Sequence, residues 1–276
     1  MGPSVPASAD LGSPGLSLTA SRRGIKSYVL RSGRTSAAQK RAYEELSPRY
    51  CLNIGAWDRP LDWEAVFGSP NPVTVEIGFG MGIATAQIAQ ENPDRNYLGI
   101  EVHKPGIGRL LWEIDKRKLD NIRIIEHDAV EVLERLIGDR TAAAFHIFFP
   151  DPWPKKKHHK RRLIARPFTG VLAEKLTGGA YIYLVTDSED YARWALAELS
   201  ATPGLRNPYG RAGDAGGDMA GAGDMAGLVD SGFAPPQSWR PLTKFEAKGL
   251  AQNHRIWELY FIKNEDPVPK PGKEGR

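Results

Sequence analysis

Short apolar runs alternate with amphipathic stretches through the middle of the chain. Residues 73–79, 96–101, 122–126, 143–149 and 180–186 are short, rich in β-branched and aromatic side chains, and bounded by turn residues, which predicts five buried strands. Between them, 83–90, 105–118, 129–136, 163–176 and 188–199 carry helical periodicity and supply the crossovers. Repetition of strand, helix and strand predicts an α/β architecture, a parallel sheet with helices on both faces. Late in the chain, 231–240 and 255–263 read as two more strands with no convincing helix between them. An antiparallel pair closing the sheet is the expectation.

Composition narrows this picture without redirecting it. The chain has 276 residues, 41% hydrophobic and 25% charged, which suits one large domain with appendages. Its longest nearly apolar run, 142–150, falls well short of the roughly 18 residues that cross a bilayer. The first 20 residues hold no basic side chain and are broken by Pro3, Pro6 and Pro14, unlike a secretory signal, so a cytoplasmic protein is expected. Residues 1–21 draw mainly on Ser, Gly, Pro and Ala, and 210–227 on Gly, Ala and Asp. Such segments cannot bury enough apolar surface to offset the entropy of ordering them. The expected organisation is a disordered tail (1–21), a basic N-terminal extension (22–60), a main domain (61–264) carrying a flexible insertion at 210–227, and a C-terminal tail (265–276). Cys51 is the only cysteine, which excludes an internal disulfide and any multi-cysteine metal site. The histidines show no ligand spacing either, so no metal is expected.

Charge points to a polyanionic partner through its distribution. The net formal charge is only +4, yet seven basic residues and no acid lie between Arg22 and Arg41, and six basic residues lie between Lys155 and Arg162. The first segment is expected to grip nucleic acid or to act as a solubilising arm, and the second to contact phosphates.

Candidate chemistry sits at the ends of the strands. The first strand runs through Glu76 into Gly78, Gly80 and Gly82, then directly into a helix. Glycines there allow a tight turn and close approach of a ligand to backbone. A dinucleotide site wants a glycine where the chain has Ile83, so the spacing suits S-adenosylmethionine better than a pyrophosphate. The second strand ends at Glu101, placed to accept ribose hydroxyls, and the third is followed by Asp128, which could accept an adenine amino group or simply cap a helix. The fourth ends in Phe149-Pro150-Asp151-Pro152-Trp153, a stiff loop that presents an acid beside six cations.

At these residues the chain resembles the bacterial tRNA (guanine-N7-)-methyltransferase family. The resemblance rests on Glu76-Ile77-Gly78-Phe79-Gly80-Met81-Gly82, Gly99-Ile100-Glu101-Val102-His103, Phe149 to Lys155, Thr186-Asp187, and Thr243-Lys244-Phe245-Glu246 in family order, and covers roughly 25–263. It implies a class I S-adenosylmethionine-dependent methyltransferase fold, Rossmann-like and mostly parallel with an antiparallel C-terminal strand pair. It also implies methyl transfer from S-adenosylmethionine to guanine N7 in the tRNA variable loop, at the position numbered 46. The implied cofactor contacts are Glu76, Gly78, Gly80, Glu101, Asp128 and Asp151. The implied tRNA or guanine contacts are Lys155, Asp187, Thr243, Lys244, Phe245 and Glu246, with Asp151 the catalytic candidate. Which of Asp151, Asp187 and Glu246 serves charge stabilisation and which reads the base is left open by the sequence. A nicotinamide oxidoreductase, a non-catalytic RNA-binding module and an adenine amino methyltransferase remain as alternatives, the last because Pro-Asp-Pro-Trp is similar to the Asp-Pro-Pro-Trp type of motif.

Overall fold

A computed structural model describes residues 26–28, 35–56, 59–210, 232–251 and 254–265. The tail at 1–21, the basic residues Arg22 and Arg23, most of the insertion at 210–227 and all but the first residue of 265–276 lie outside the described residues.

Seven strands form one sheet. They are β1 (Val73–Ile77), β2 (Asn96–Glu101), β3 (Ile122–Glu126), β4 (Ala142–Phe148), β5 (Leu176–Thr186), β6 (Leu205–Arg206) and β7 (Trp257–Lys263), in the spatial order β3-β2-β1-β4-β5-β7-β6. The pairs from β3 through β5 are parallel, whereas β7 runs antiparallel to both β5 and β6. The chain therefore reverses strand order between β1 and β4. In open α/β sheets the crevice outside the carboxyl ends at such a switch point is where ligands bind.

Alternation along the strands divides the interior in two. On one face Val75, Leu98, Phe145, Ile182 and Leu259 pack with α5 (Ala129–Leu136), α6 (Phe168–Lys175) and α7 (Glu189–Ser200), and with Val66 of the short α2 (Trp63–Phe67). On the other, Tyr97, Ile122 and Ile124 pack with α1 (Ala37–Tyr50), α3 (Ile83–Glu91) and α4 (Lys104–Arg117). Beyond these helices the second face continues as an aromatic layer: His146 stacks on Phe148 and Trp239, and Tyr181 on Tyr260 at 4.8 Å.

Four elements depart from the sequence reading. The described part of 231–240 makes no strand, because Pro235 and Pro236 lack the N–H that a ladder needs. One backbone bond, from the Ala234 N–H to the Glu258 carbonyl (2.8 Å), ties it to β7 alongside side-chain contacts, and β6 takes the expected edge instead. Between them lies a helix the periodicity missed, α8 (Lys244–Leu250), opened by a Thr243–Glu246 capping box. The third departure is α1, within the stretch read as a basic extension. It too begins with a capping box, Ser36–Gln39, and Ala42 and Tyr50 are buried against the α4 side of the sheet. Helix α6 also starts later than expected, at Phe168, since Pro167 suits a helix start and not a helix interior.

Candidate active site

The turn after β1 shapes the floor of a pocket of about 350 Å3 at the carboxyl edge of β1, β2 and β4. Gly78 and Gly80 are in the left-handed region (φ 74° and 57°), and a Cβ on either would project into open space. These glycines are there for conformation and to leave room. Gly82 differs: a Cβ would lie 2.6 Å from the Leu110 Cβ, so this glycine lets α3 close on α4.

Glu101 is held in place by that turn. Its Oε2 accepts from the Gly80 N–H (2.8 Å), and its Oε1 accepts from the N–H groups of Val102 (2.7 Å) and His103 (3.0 Å). A carboxylate offers about four lone-pair sites, so capacity remains on the side lining the pocket. Glu76 lies beneath, 3% exposed. Burial pushes its carboxyl up to about 7, the Thr85 hydroxyl opposing and the Glu101 charge adding to the rise. Asp128 caps α5, one carboxylate oxygen accepting from the Val130 N–H at 2.9 Å, with His127 and Ala129 on either side lining the pocket.

The loop after β4 forms one wall. Phe149, Pro150 and Asp151 line the pocket, and Asp151 is exposed to it. Phe149 and Trp153 both have left-handed backbones, φ 51° and 46°, a strained state for large side chains that concentrates at functional sites. Ser27 and Tyr28 also line the pocket. They belong to the segment expected to grip nucleic acid or to act as a solubilising arm; here the Trp153 indole N–H donates to the Ser27 carbonyl (3.0 Å), and Arg161 donates to the carbonyls of Lys26 (3.1 Å) and Tyr28 (3.2 Å). In the sequence Tyr28 stands as one aromatic among cations, with nothing to indicate these neighbours.

The basic run divides accordingly. Lys155, Lys156, Lys157 and Lys160 are exposed. Arg161 is engaged with the N-terminal segment and stacks on Trp153, 4.0 Å from the ring centroid, and Arg162 is 1% exposed. The expectation that the whole run meets phosphate is thus corrected for Arg162, which is buried with its donors on protein, while Arg161 directs its Nε and one Nη to the 26–28 segment.

Gly78, Gly80, Glu101 and Asp151 therefore share one pocket, while Glu76 and Asp128 stand outside its lining, next in sequence to Ile77 and to His127 and Ala129, which line it. Asp187 is half-buried in the turn after β5, the strand next to β4. Thr243 caps α8, and Lys244 and Phe245 open that helix. Glu246 was expected to contact substrate, but it is 3% exposed, and its two oxygens accept from Arg240 at 2.6 Å each. Arg240 also reaches Glu258 (2.9 Å) and the Tyr183 hydroxyl (3.3 Å). Although burial works against its charge, these partners keep that guanidinium firmly protonated. Among the described residues no three His, Cys, Asp or Glu side chains cluster to hold a metal ion, and no helix is long and apolar enough to cross a membrane.

Residues 70–211 match the family described as "Putative methyltransferase". The chain is 46% identical to a tRNA (guanine-N(7)-)-methyltransferase of Paraburkholderia xenovorans over 242 residues, 88% of this chain and 84% of that one. It is 45% identical to the Ralstonia nicotianae protein of the same name, over 93% of this chain and 90% of the relative. The chain belongs to the tRNA (guanine-N7-)-methyltransferase family. Members are S-adenosylmethionine-dependent enzymes of the class I methyltransferase fold, and the sheet with its reversed β7 is that fold. A crystal structure of the 16S rRNA methyltransferase KamB aligns with a TM-score of 0.47 and 13% identity over 73% of this chain and 92% of that one. S-adenosylmethionine is the cofactor, and the open space above Gly78 and Gly80 beside an anchored carboxylate suits a nucleoside carrying positive charge.

Proposed function

We propose that this enzyme transfers the methyl group of S-adenosylmethionine to N7 of a guanine in the tRNA variable loop, at position 46. The observation that carries the reading is the placement of Asp151 within the pocket built by the glycine turn and Glu101, with exposed lysines a few residues away. The names of the relatives support the guanine N7 and the tRNA.

In this reading Glu101 accepts the ribose hydroxyls, Asp128 uses its second oxygen for the adenine amino group, and Gly78 and Gly80 leave room for the methionine portion. Glu76, its carboxyl raised to about 7 by burial, stands behind the glycine turn, where the cationic cofactor favours its charged form. Guanine N7 is an unprotonated lone pair, so no base is needed to create the nucleophile, and alignment is the main demand. During transfer, positive charge leaves sulfur and appears on the purine. A carboxylate beside the ring therefore stabilises the transition state more than the ground state. Asp151 takes this role because it is exposed within the pocket. Asp187, in the turn after the neighbouring strand β5, is the candidate for the base edge, whose N1–H and N2–H groups match a carboxylate and disfavour adenine. Glu246 is neutralised by Arg240, so its part is to hold α8 and the residues Thr243, Lys244 and Phe245 for contact with tRNA. Lys155, with Lys156, Lys157 and Lys160, contacts backbone phosphates.

The test is incubation with tRNA and methyl-labelled S-adenosylmethionine, followed by nucleoside mass spectrometry and mapping of the labelled position. Labelled 7-methylguanosine at position 46 is expected. Label in a methylated adenosine, or in a guanosine outside the variable loop, would overturn the assignment.

A further inference from the structure

Arg162 ends the basic run yet is the largest of the fully buried side chains. Its Nε donates to the Pro152 carbonyl at 3.0 Å, and its Nη2 donates to the Asp190 carboxylate. The guanidinium also lies over the rings of Tyr191 and Trp194, 5.6 and 5.0 Å from their centroids. Pro152 follows Asp151 directly, and Asp190 is the second residue of α7, three positions after Asp187. One buried cation thus ties the loop after β4 to the turn after β5.

We propose that Arg162 is a positioning residue for methyl transfer, fixing the Asp151 loop against the start of α7. This deepens the functional reading above and rests on it. The loop needs such a tether because it has few means of holding itself. Pro150 and Pro152 have no N–H to donate, so the loop is held through carbonyls and through its flanks. The Phe149 N–H donates to the Val185 carbonyl at 2.7 Å on one side, and the Trp153 indole to Ser27 on the other. Two left-handed bulky residues in five persist only where the surroundings over-determine the backbone. The Pro152 carbonyl is the handle between them. A planar fork can serve that carbonyl and the Asp190 carboxylate together, which the compact ammonium of lysine does poorly.

The experiment compares Arg162→Lys, Asp190→Asn and the double variant in single-turnover methyl transfer at saturating tRNA and S-adenosylmethionine. Binding of each ligand is measured separately, and tRNA binding across salt concentrations. Arg162→Lys is expected to slow transfer by roughly 10- to 100-fold, since misplacement of a reacting group by about 1 Å costs on the order of 10²-fold. The salt dependence of tRNA binding should stay parental. Asp190→Asn should slow transfer less, and the double variant should be no slower than Arg162→Lys, because the two share one tether. Transfer at the parental rate by Arg162→Lys, or a salt slope reduced by about one with the rate intact, would make Arg162 a packing residue or a phosphate contact and overturn the proposal. Should Arg162→Lys lose its cooperative unfolding transition, Asp190→Asn decides alone. Its side chain is 66% exposed, so folding should survive, and a parental rate would refute the tether. The parent in the same assay keeps the two readings apart: absence of 7-methylguanosine from the parent sinks the function, whereas an active parent with unaffected variants sinks only the role of Arg162.

Discussion

Glu76→Gln should make the protein more stable relative to the parent as pH rises, by an amount set by burial of the carboxylate. Folding lifts the Glu76 carboxyl from its ordinary 4.5 to about 7, with burial the main cause. Below pH 4.5 the group is protonated whether the chain is folded or not, and the rise has no effect. Between 4.5 and 7 the unfolded chain releases a proton that the folded protein retains, so the native state loses stability steadily relative to the unfolded one. Above pH 7 the loss is complete, at about 3 kcal/mol for a displacement of this size. Glutamine has no proton to lose. Its buried amide brings a cost of its own, but that cost does not vary with pH. The informative quantity is therefore the change in the variant-minus-parent difference between pH 5 and pH 8. Roughly 0.8 kcal/mol is already lost by pH 5, so about 2.5 kcal/mol remains over this window, and near 2–4 °C of Tm per kcal/mol for a chain of this size the change should be about 5–10 °C in favour of the variant at pH 8. Scanning calorimetry or fluorimetry without cofactor measures it. The buried His146, whose ring burial drives down to about 3, is common to both proteins and cancels in the difference. A Tm difference that is the same at both pH values would refute the argument and show Glu76 to be solvated or differently paired.

Other outcomes follow from the site. Glu101→Ala should weaken S-adenosylmethionine binding by roughly 10- to 150-fold, the worth of a charged hydrogen bond, while leaving tRNA affinity nearly intact; calorimetric titration with each ligand checks this, and equal losses would contradict it. Replacing Lys156 and Lys157 by Gln should raise the KM for tRNA and reduce the salt slope of its binding by about two, which filter binding across salt concentrations would read. Asp151→Asn retains shape but not charge, so single-turnover transfer should fall by about 10²–10³-fold, with no recovery at higher pH because N7 needs no deprotonation; a parental rate would move the electrostatic role to Asp187. Gly82→Ala should destabilise the fold, because the added methyl meets Leu110 at 2.6 Å in a left-handed backbone, and a Tm at or above the parental one would show that α4 yields freely.

The sheet was legible because its signals are local and periodic. Buried parallel strands read as unbroken apolar runs, and β2 and β3 fall where the sequence placed them. The errors arose where local and long-range cues conflict. The stretch at 232–240 looked extended, but its two prolines remove the donors that would have made it a strand. The Thr243–Glu246 segment carries a capping signal, but the helix it opens is only seven residues long, too short for its periodicity to stand out. At the site, the glycine turn and the strand-end acids were readable because each stands at a predictable end of an element. The fate of Arg161 and Arg162 was not. A basic side chain next to four lysines has the same local signature whether it meets solvent, RNA phosphate or a backbone carbonyl, and only the fold shows that Pro152, Asp190 and the 26–28 segment surround these two.

The difference between charge and placement bears on how the site would work. S-adenosylmethionine is a cation before the reaction and the methylated guanine is a cation after it, so negative charge spread evenly around both would stabilise reactant and product alike without lowering the barrier. In the proposed arrangement Glu76, Glu101 and Asp128 would lie on the cofactor side, and on that ground they would favour binding more than rate. Acceleration requires a carboxylate that gains as charge moves off sulfur, hence one held on the guanine side at a fixed distance. A flexible acid there would follow the charge in either direction and provide less preorganisation. On the proposed role of Asp151, that requirement would account for an aspartate between two prolines, with left-handed residues at both flanks and a buried guanidinium on the carbonyl that follows. On this reasoning the stiffness of the loop after β4 is as much a part of catalysis as the charge it presents, and substitutions that loosen it should lower the rate of transfer while sparing the affinity for either substrate.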